Sequence, residues 1–245
     1  MSGADKDPAE GVPAEGVPAE GVPAEGVPAE GGRRRRRAPK GQGGLLRQDI
    51  LDSASAILAE RGDAAAVSIR AVAQGAGVST AAIYLHFPDR DSLLGEVCGT
   101  VFGELEHALA EAAAGAPDPL TALRRQGVAY VRFALDKPEQ YRFMLMGRPE
   151  ESHRPAPSEL VASGAFADLV AAVSECQRQG LLPPGDPTPA ALALWATVHG
   201  LASLLISVPY MPWPDIEQIA GMMTEVAISG LQMNRGAAPD TDRAP

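Results

Sequence analysis

Aromatic side chains are scarce in this 245-residue chain, at 4% of the total. An even spread would supply a single core poorly, so the composition has to be read by segment. Cysteine is scarcer still. Cys98 and Cys176 stand apart without a CxxC pair, which argues against a disulfide framework and a cysteine metal cluster and leaves two buried thiols. No stretch approaches about eighteen uninterrupted apolar residues, and the N-terminus starts acidic and rich in Pro and Gly rather than basic then apolar. Neither a transmembrane span nor a secretory signal is expected, and the expected location is the cytoplasm with no membrane partner. Catalytic signatures are missing too: there is no P-loop, no GxGxxG after a strand, no HExxH and no nucleophile elbow, and the four histidines are scattered. The expectation is a non-enzyme without cofactor or bound metal.

What is present is unevenly placed. Apolar residues make up 45% of the chain, enough for a core of ordinary size, while the 26 Gly and 22 Pro crowd into the first 44 residues and a few later breaks. The net charge of −10 is likewise uneven: residues 1–32 carry −6, residues 33–95 carry +4 and residues 96–245 carry −8. The cationic part is one short block. Five copies of Pro-Ala-Glu-Gly begin at Pro8, Pro13, Pro18, Pro23 and Pro28. Each unit offers at most one Val for burial against a Pro, a Gly and a charge, so the repeat is expected to stay extended. It reads as a solubilising spacer or, alternatively, as a set of glutamates competing with an anionic partner for the arginines beside it. Arg33, Arg34, Arg35, Arg36 and Arg37 follow, and residues 1–44 are read together as a disordered tail and basic arm.

From Leu45 onward the apolar residues recur at helical spacing and no alternating strand appears, so the fold class is all-α. Ile50, Ala54, Ile57 and Leu58 share one face of a first helix that ends near Gly62. Ser68 caps a second helix with Ile69, Val72, Ala73 and Ala76 inward, and Gly77 supplies the turn. Ser79 caps a third helix of about seven residues, roughly 10 Å long, with Ile83 and Phe87 on its packed side and Pro88 ending it. Asp91 opens a long fourth helix towards Gly115. Five more helical segments, at 118–136, 138–146, 158–180, 188–207 and 214–234, bring the expected total to nine. The domains are then 45–95, 96–235 and a frayed tail, 236–245.

Three short helices with a Gly-containing turn between the second and third form a helix-turn-helix pattern, although a generic three-helix core could show the same turn. The wording is more specific. Ser68-Ile69-Arg70-Ala71-Val72-Ala73, Ala76-Gly77-Val78-Ser79, Ile83-Tyr84-Leu85-His86-Phe87 and Asp89-Arg90-Asp91-Ser92-Leu93-Leu94 closely resemble the DNA-binding domain of TetR/AcrR-family bacterial regulators. Trp195-Ala196-Thr197-Val198-His199-Gly200 resembles the tryptophan-histidine-glycine motif of one C-terminal subgroup. The resemblance implies a DNA-reading head joined to a larger helical domain for ligand binding and dimerisation, acting on a double-stranded operator, most often as a repressor.

Within that frame the DNA-binding candidates take physical roles. Ser68 and Ser79 lie at helix starts, where a hydroxyl and free N–H groups suit a phosphate oxygen. Arg70 carries a fork that fits guanine O6 and N7 or a phosphate. Thr80 can hydrogen-bond a base, while Ala81 and Ala82 can read only shape or a thymine methyl. Tyr84 and His86 match the family's phosphate-contacting pair, and Arg90 stands where the family usually has a lysine, as a phosphate clamp. Leu85 is a possible apolar groove contact. Residues 47–95 are net −2, so the positive charges of Arg33 to Arg37, Lys40 and Arg47 are expected to give the arm a strong part in binding, along the backbone or in a minor groove. A merely solvated basic tail is the alternative.

In the second domain, Tyr130, Phe133, Tyr141, Met144, Phe166, Trp195 and His199 are the candidate lining of a pocket for a small-molecule effector. Each is equally readable as plain core. Leu192, Leu194, Leu201, Leu204, Leu205 and Ile206, with Ile216, Ile219, Met222, Met223, Val226, Ile228 and Leu231, give the last two helices more apolar surface than one inward stripe needs. They are the expected homodimer interface. A constitutive architectural DNA-binding protein without an effector is the competing function.

Overall fold

A computed structural model of the chain describes residues 43–146 and 164–233. Its elements are built on caps that the sequence supplies. Helix α1 (Gly43–Arg61) is followed by a 3-10 turn, Ala64–Ala66. Helices α2 (Ile69–Gly75) and α3 (Thr80–Tyr84) each start on a serine: Ser68 Oγ accepts from the Ala71 N–H and Ser79 Oγ from the Ala82 N–H, both at 3.2 Å. Between them Gly77 adopts a φ of 65°, left-handed backbone that only glycine takes without strain, and the Val78 N–H closes on the Ala73 carbonyl at 2.9 Å.

Two expectations about this region shift. Helix α3 stops at Tyr84, and His86 and Phe87 lie in the turn beyond it, with both their N–H groups donating to the Ile83 carbonyl. Helix α4 (Arg90–Ala113) opens on Asp89 rather than Asp91, because the Asp89 carboxylate accepts from the Ser92 N–H at 2.6 Å. Asp91 falls in the first turn, where a negative charge suits the helix dipole.

The rest of the chain repeats the device. Asp118 caps α5 (Pro119–Asp136) and Asp186 caps α8 (Pro187–Ser207), each followed by a proline whose missing N–H costs nothing in a first turn. Helix α6 (Pro138–Tyr141) runs on into a π-helical turn, Arg142–Met146. Helices α7 (Gly164–Arg178) and α9 (Ile216–Met233) complete nine helices among the described residues, and no strand occurs among them. The arm, the repeat, the 158–163 start expected for α7 and the C-terminal tail lie outside the described residues.

Three hydrophobic clusters hold these helices. The first joins Ile50, Leu58, Val72, Ile83, Phe87, Leu93 and Val97 from α1 to α4 and the turn after α3. The second joins Val101, Leu105, Tyr130, Tyr141, Leu201 and Leu205, and the third Leu123, Val173, Cys176, Leu194 and Ile228. The boundary expected at residue 95 falls inside α4. One continuous 24-residue helix gives Leu93, Leu94 and Val97 to the first cluster and Val101 and Leu105 to the second. Length and apolar composition would let α8 cross a membrane. In this fold Leu194, Val198, Leu201 and Leu205 bury its inner face, and it packs on α5, α7 and α9.

Candidate nucleic-acid interface and effector cavity

The outer side of the first three-helix unit gathers the predicted DNA contacts. Ile83 and Phe87 are buried, at 0% and 1% exposure, so they orient the rest of α3 outward. Thr80, Ala81, Tyr84 and Leu85 are exposed, Leu85 at 84%, and Ala82 and His86 are half-buried at the margin. Ser68, Ser79 and Arg70 are exposed as well, and Arg70 makes no hydrogen bond or ion pair with any described residue. Helix α3 thus offers methyl groups, a hydroxyl and a phenol to solvent, and α2 offers the exposed Arg70 guanidinium. The two capping serine hydroxyls each already accept an internal N–H, which leaves their own O–H to donate outward.

Arg90 departs from its predicted role. Its Nε donates to the Val67 carbonyl at 2.8 Å and its second nitrogen to the Ala64 carbonyl, so the guanidinium fastens the 3-10 turn to the start of α4. Those carbonyls belong to the link before α2, where the Ala64 oxygen also accepts the Val67 N–H at 3.1 Å. In this structure Arg90 positions backbone, and its remaining nitrogen lies 3.7 Å from the Asp91 carboxylate. Arg90→Ala is expected to cost about 1–3 kcal/mol of stability by removing two charged hydrogen bonds and to leave the salt dependence of DNA binding unchanged. A fall of about one in the slope of log affinity against log salt would return Arg90 to the phosphate. Arg47 is engaged as well: it pairs with Glu96 and lies over the Phe87 ring, 5.1 Å from its centroid. The cationic arm, Arg33 to Arg37, lies outside the described residues.

A cavity of about 1050 Å³ opens among α4, α5, α7 and α8. Tyr130, Phe166 and Trp195 stand on its wall as expected, with the last two rings 5.6 Å apart. Phe133, Tyr141, Met144 and His199 do not. Phe133 is buried in the second cluster and Met144 packs against it. Tyr141 and His199 stand behind the wall as its support. The Tyr141 hydroxyl lies 2.7 Å from His199 Nδ1 and 3.1 Å from the Tyr130 hydroxyl, and Trp195 Nε1 donates to the Tyr130 oxygen at 3.1 Å. Burial pushes both tyrosines above the ordinary phenol range and His199 below the ordinary histidine value. The histidine stays neutral at neutral pH and the network holds Tyr130 and Trp195 in place.

The family model for bacterial regulatory proteins of the tetR family matches residues 50–97, and that for the tetracyclin repressor-like C-terminal domain matches residues 123–227. The first segment covers the outward-facing turn and the second the cavity walls on α5, α7 and α8. The chain belongs to the TetR family. Among solved structures, a Rhodococcus sp. RHA1 protein of unknown function is 28% identical, with a TM-score of 0.66, covering 82% of this chain and 100% of its own. PfmR of Thermus thermophilus, a TetR family transcriptional regulator, is 25% identical with a TM-score of 0.54, covering 74% of this chain and 98% of its own. FadR of Bacillus halodurans, a fatty acid degradation regulator, covers 75% of this chain and 98% of its own at a TM-score of 0.62, and at 16% identity shares the fold alone. No curated protein matches the sequence.

Membership makes this a DNA-binding transcription regulator with a helix-turn-helix head and a larger helical domain. In this TetR-family chain several wall residues escaped sequence reading, among them Phe102, Glu106, Gln126, Asp168 and Thr224. Phe102 and Glu106 are four apart on α4, beside the Val101, Leu105 and Leu109 stripe. A polar residue flanking a long apolar stripe was the available signal, and helical spacing alone does not say which neighbour faces it.

Proposed function

We propose that this regulator is a ligand-responsive repressor: a homodimer that occupies a palindromic operator in the cytoplasm and leaves it when a small molecule fills the cavity. The observation that carries this reading is the continuity of α4. Its first turns sit in the core beneath the reading helix, and three turns on Phe102, Leu105 and Glu106 line the cavity. A ligand that prefers one placement of that helix must bias the head attached to it. The cavity also favours an effector-driven switch over a constitutive architectural protein.

Dimerisation is supported by what α8 and α9 leave uncovered. Leu194, Leu201, Leu205, Ile206 and Ile228 are buried within the chain, while Leu192, Leu204, Met222 and Val226 stay half exposed or more. Two helices from each protomer would cover them, and the twofold would set the two heads on half-sites about one helical turn, 34–36 Å, apart or a multiple of it. Ser68, Ser79, Thr80, Tyr84 and His86 serve the phosphates and groove, Arg70 reads a base, and Arg33 to Arg37 add sequence-independent affinity. No cofactor or metal enters this scheme.

Selection of bound sites from random duplexes tests the reading, and a palindromic consensus is the expected result. Failure of the purified full chain to prefer any duplex over competitor at modest ionic strength, without ligand, would sink it. On the selected site, Arg70→Ala is expected to relax one position of the consensus by about 1–3 kcal/mol, whereas Tyr84→Ala weakens all sites alike. An unchanged consensus would show that Arg70 reads no base.

A further inference from the structure

We propose that the cavity takes a cationic amphiphile, an apolar molecule carrying one positive charge, with Glu106 as its counter-charge and Asp168 at the mouth. The proposal rests on the cavity being the effector site and names the chemistry it selects. Its wall is mostly aliphatic and aromatic, and among the described lining residues there is no Lys, Arg or His. Most of the sparse polar groups are spoken for. The Thr224 hydroxyl donates to the Ala220 carbonyl at 2.8 Å, and the Tyr130 hydroxyl is held by Trp195, Tyr141 and His199.

The two carboxylates differ from these. Neither Glu106 nor Asp168 has a hydrogen-bond or ion-pair partner among the described residues. Their neighbours do: Glu104, two residues earlier on α4, binds Lys137 at 2.6 Å, and Glu225 pairs with Arg124. Glu106 is half-buried, and its position depends on the first residue of α7. A Cβ on Gly164 would stand 2.9 Å from Glu106 Oε1, so the carboxylate packs against bare backbone there.

A half-buried carboxylate beside an apolar space attracts a cation and repels an anion. The faces of Phe102, Phe166, Trp195 and Tyr130 add cation–π attraction for a cation that has shed part of its water. A fatty carboxylate or any anionic amphiphile would have to place its charge beside Glu106 with no base among the described lining residues to meet it. The space is ample for a drug-sized molecule.

The test uses the full chain and three probes with one tail: decyltrimethylammonium below its micelle concentration, 1-decanol and decanoate, titrated calorimetrically and then against the protein bound to its selected duplex. The ammonium is expected to bind at least about tenfold tighter than decanoate. Glu106→Gln, nearly isosteric, is expected to weaken the ammonium about tenfold and to leave 1-decanol within about twofold. Asp168→Asn should act in the same direction. Decanoate binding as tightly as the ammonium, or ammonium affinity unmoved in the Glu106→Gln, Asp168→Asn double variant, would overturn the proposal. In either case, release of the duplex by 1-decanol would leave the effector role of the cavity standing. No heat and no release with all three probes would remove both.

Discussion

A chain carrying Leu204→Glu together with Val226→Glu is expected to sediment as a monomer and to lose about 10²- to 10⁴-fold in operator affinity. The two side chains are 53% and 63% exposed and neither lines the cavity or belongs to a hydrophobic cluster, so their replacement removes little internal packing. Glutamate is also a good helix former. In a twofold four-helix interface each substitution meets its own copy or the other's, which sets unpaired carboxylates facing one another where apolar surface had been covered. The affinity loss follows from geometry. Two tethered heads bind the second half-site as an intramolecular event, and a lone head forfeits that effective concentration. Sedimentation velocity decides the matter: a double variant that remains dimeric moves the interface elsewhere, and one that is monomeric yet binds the full site unweakened breaks the link between dimer and operator.

The reading head was legible because its instructions are local. Ser68 and Ser79 are caps whatever surrounds them, Gly77 answers a backbone demand at its own position, and Ile83 and Phe87 are apolar at a spacing that only one face satisfies. The cavity was less legible because it is made of meetings between helices far apart in sequence. Trp195 and His199 lie four apart on α8 and look equivalent, yet the first reaches the wall and the second lies behind it, tied to Tyr141 from the end of α6. Phe143 is one residue from Met144 and packs on the opposite cluster, against the reading head. A π-helical turn there shifts which side chain faces where, and nothing in an apolar run announces it. Arg90 shows the same limit for charge. An arginine at a helix start suits a phosphate, but here the carbonyls of Ala64 and Val67, more than twenty residues earlier, accept from its guanidinium. Their approach in the fold is not written in the local sequence.

Phe87→Ala is expected to cost about 3–5 kcal/mol, a large share of the roughly 5–15 kcal/mol that holds a domain folded. Helix α3 has five residues, too few to be stable by itself, so its place is set by the side chains it sends inward. Phe87 is the largest of those around it: 1% exposed, stacked beneath the Arg47 guanidinium and packed with Val72, Ile83 and Leu93. Removing the ring leaves a void among short helices joined by tight turns, which have little freedom to close it. The second and third clusters share no buried residue with the first, so they are expected to stay folded while the head melts early. Circular dichroism melts should show a new low-temperature transition with the remaining one little moved, and operator binding should fall with the folded fraction of the head. Leu85→Ala is the control. At 84% exposure it is expected to change stability by less than about 0.5 kcal/mol, so that any weakening of DNA binding reports a groove contact. A single melt for Phe87→Ala within about two degrees of the parent would mean that another element holds the reading helix in place.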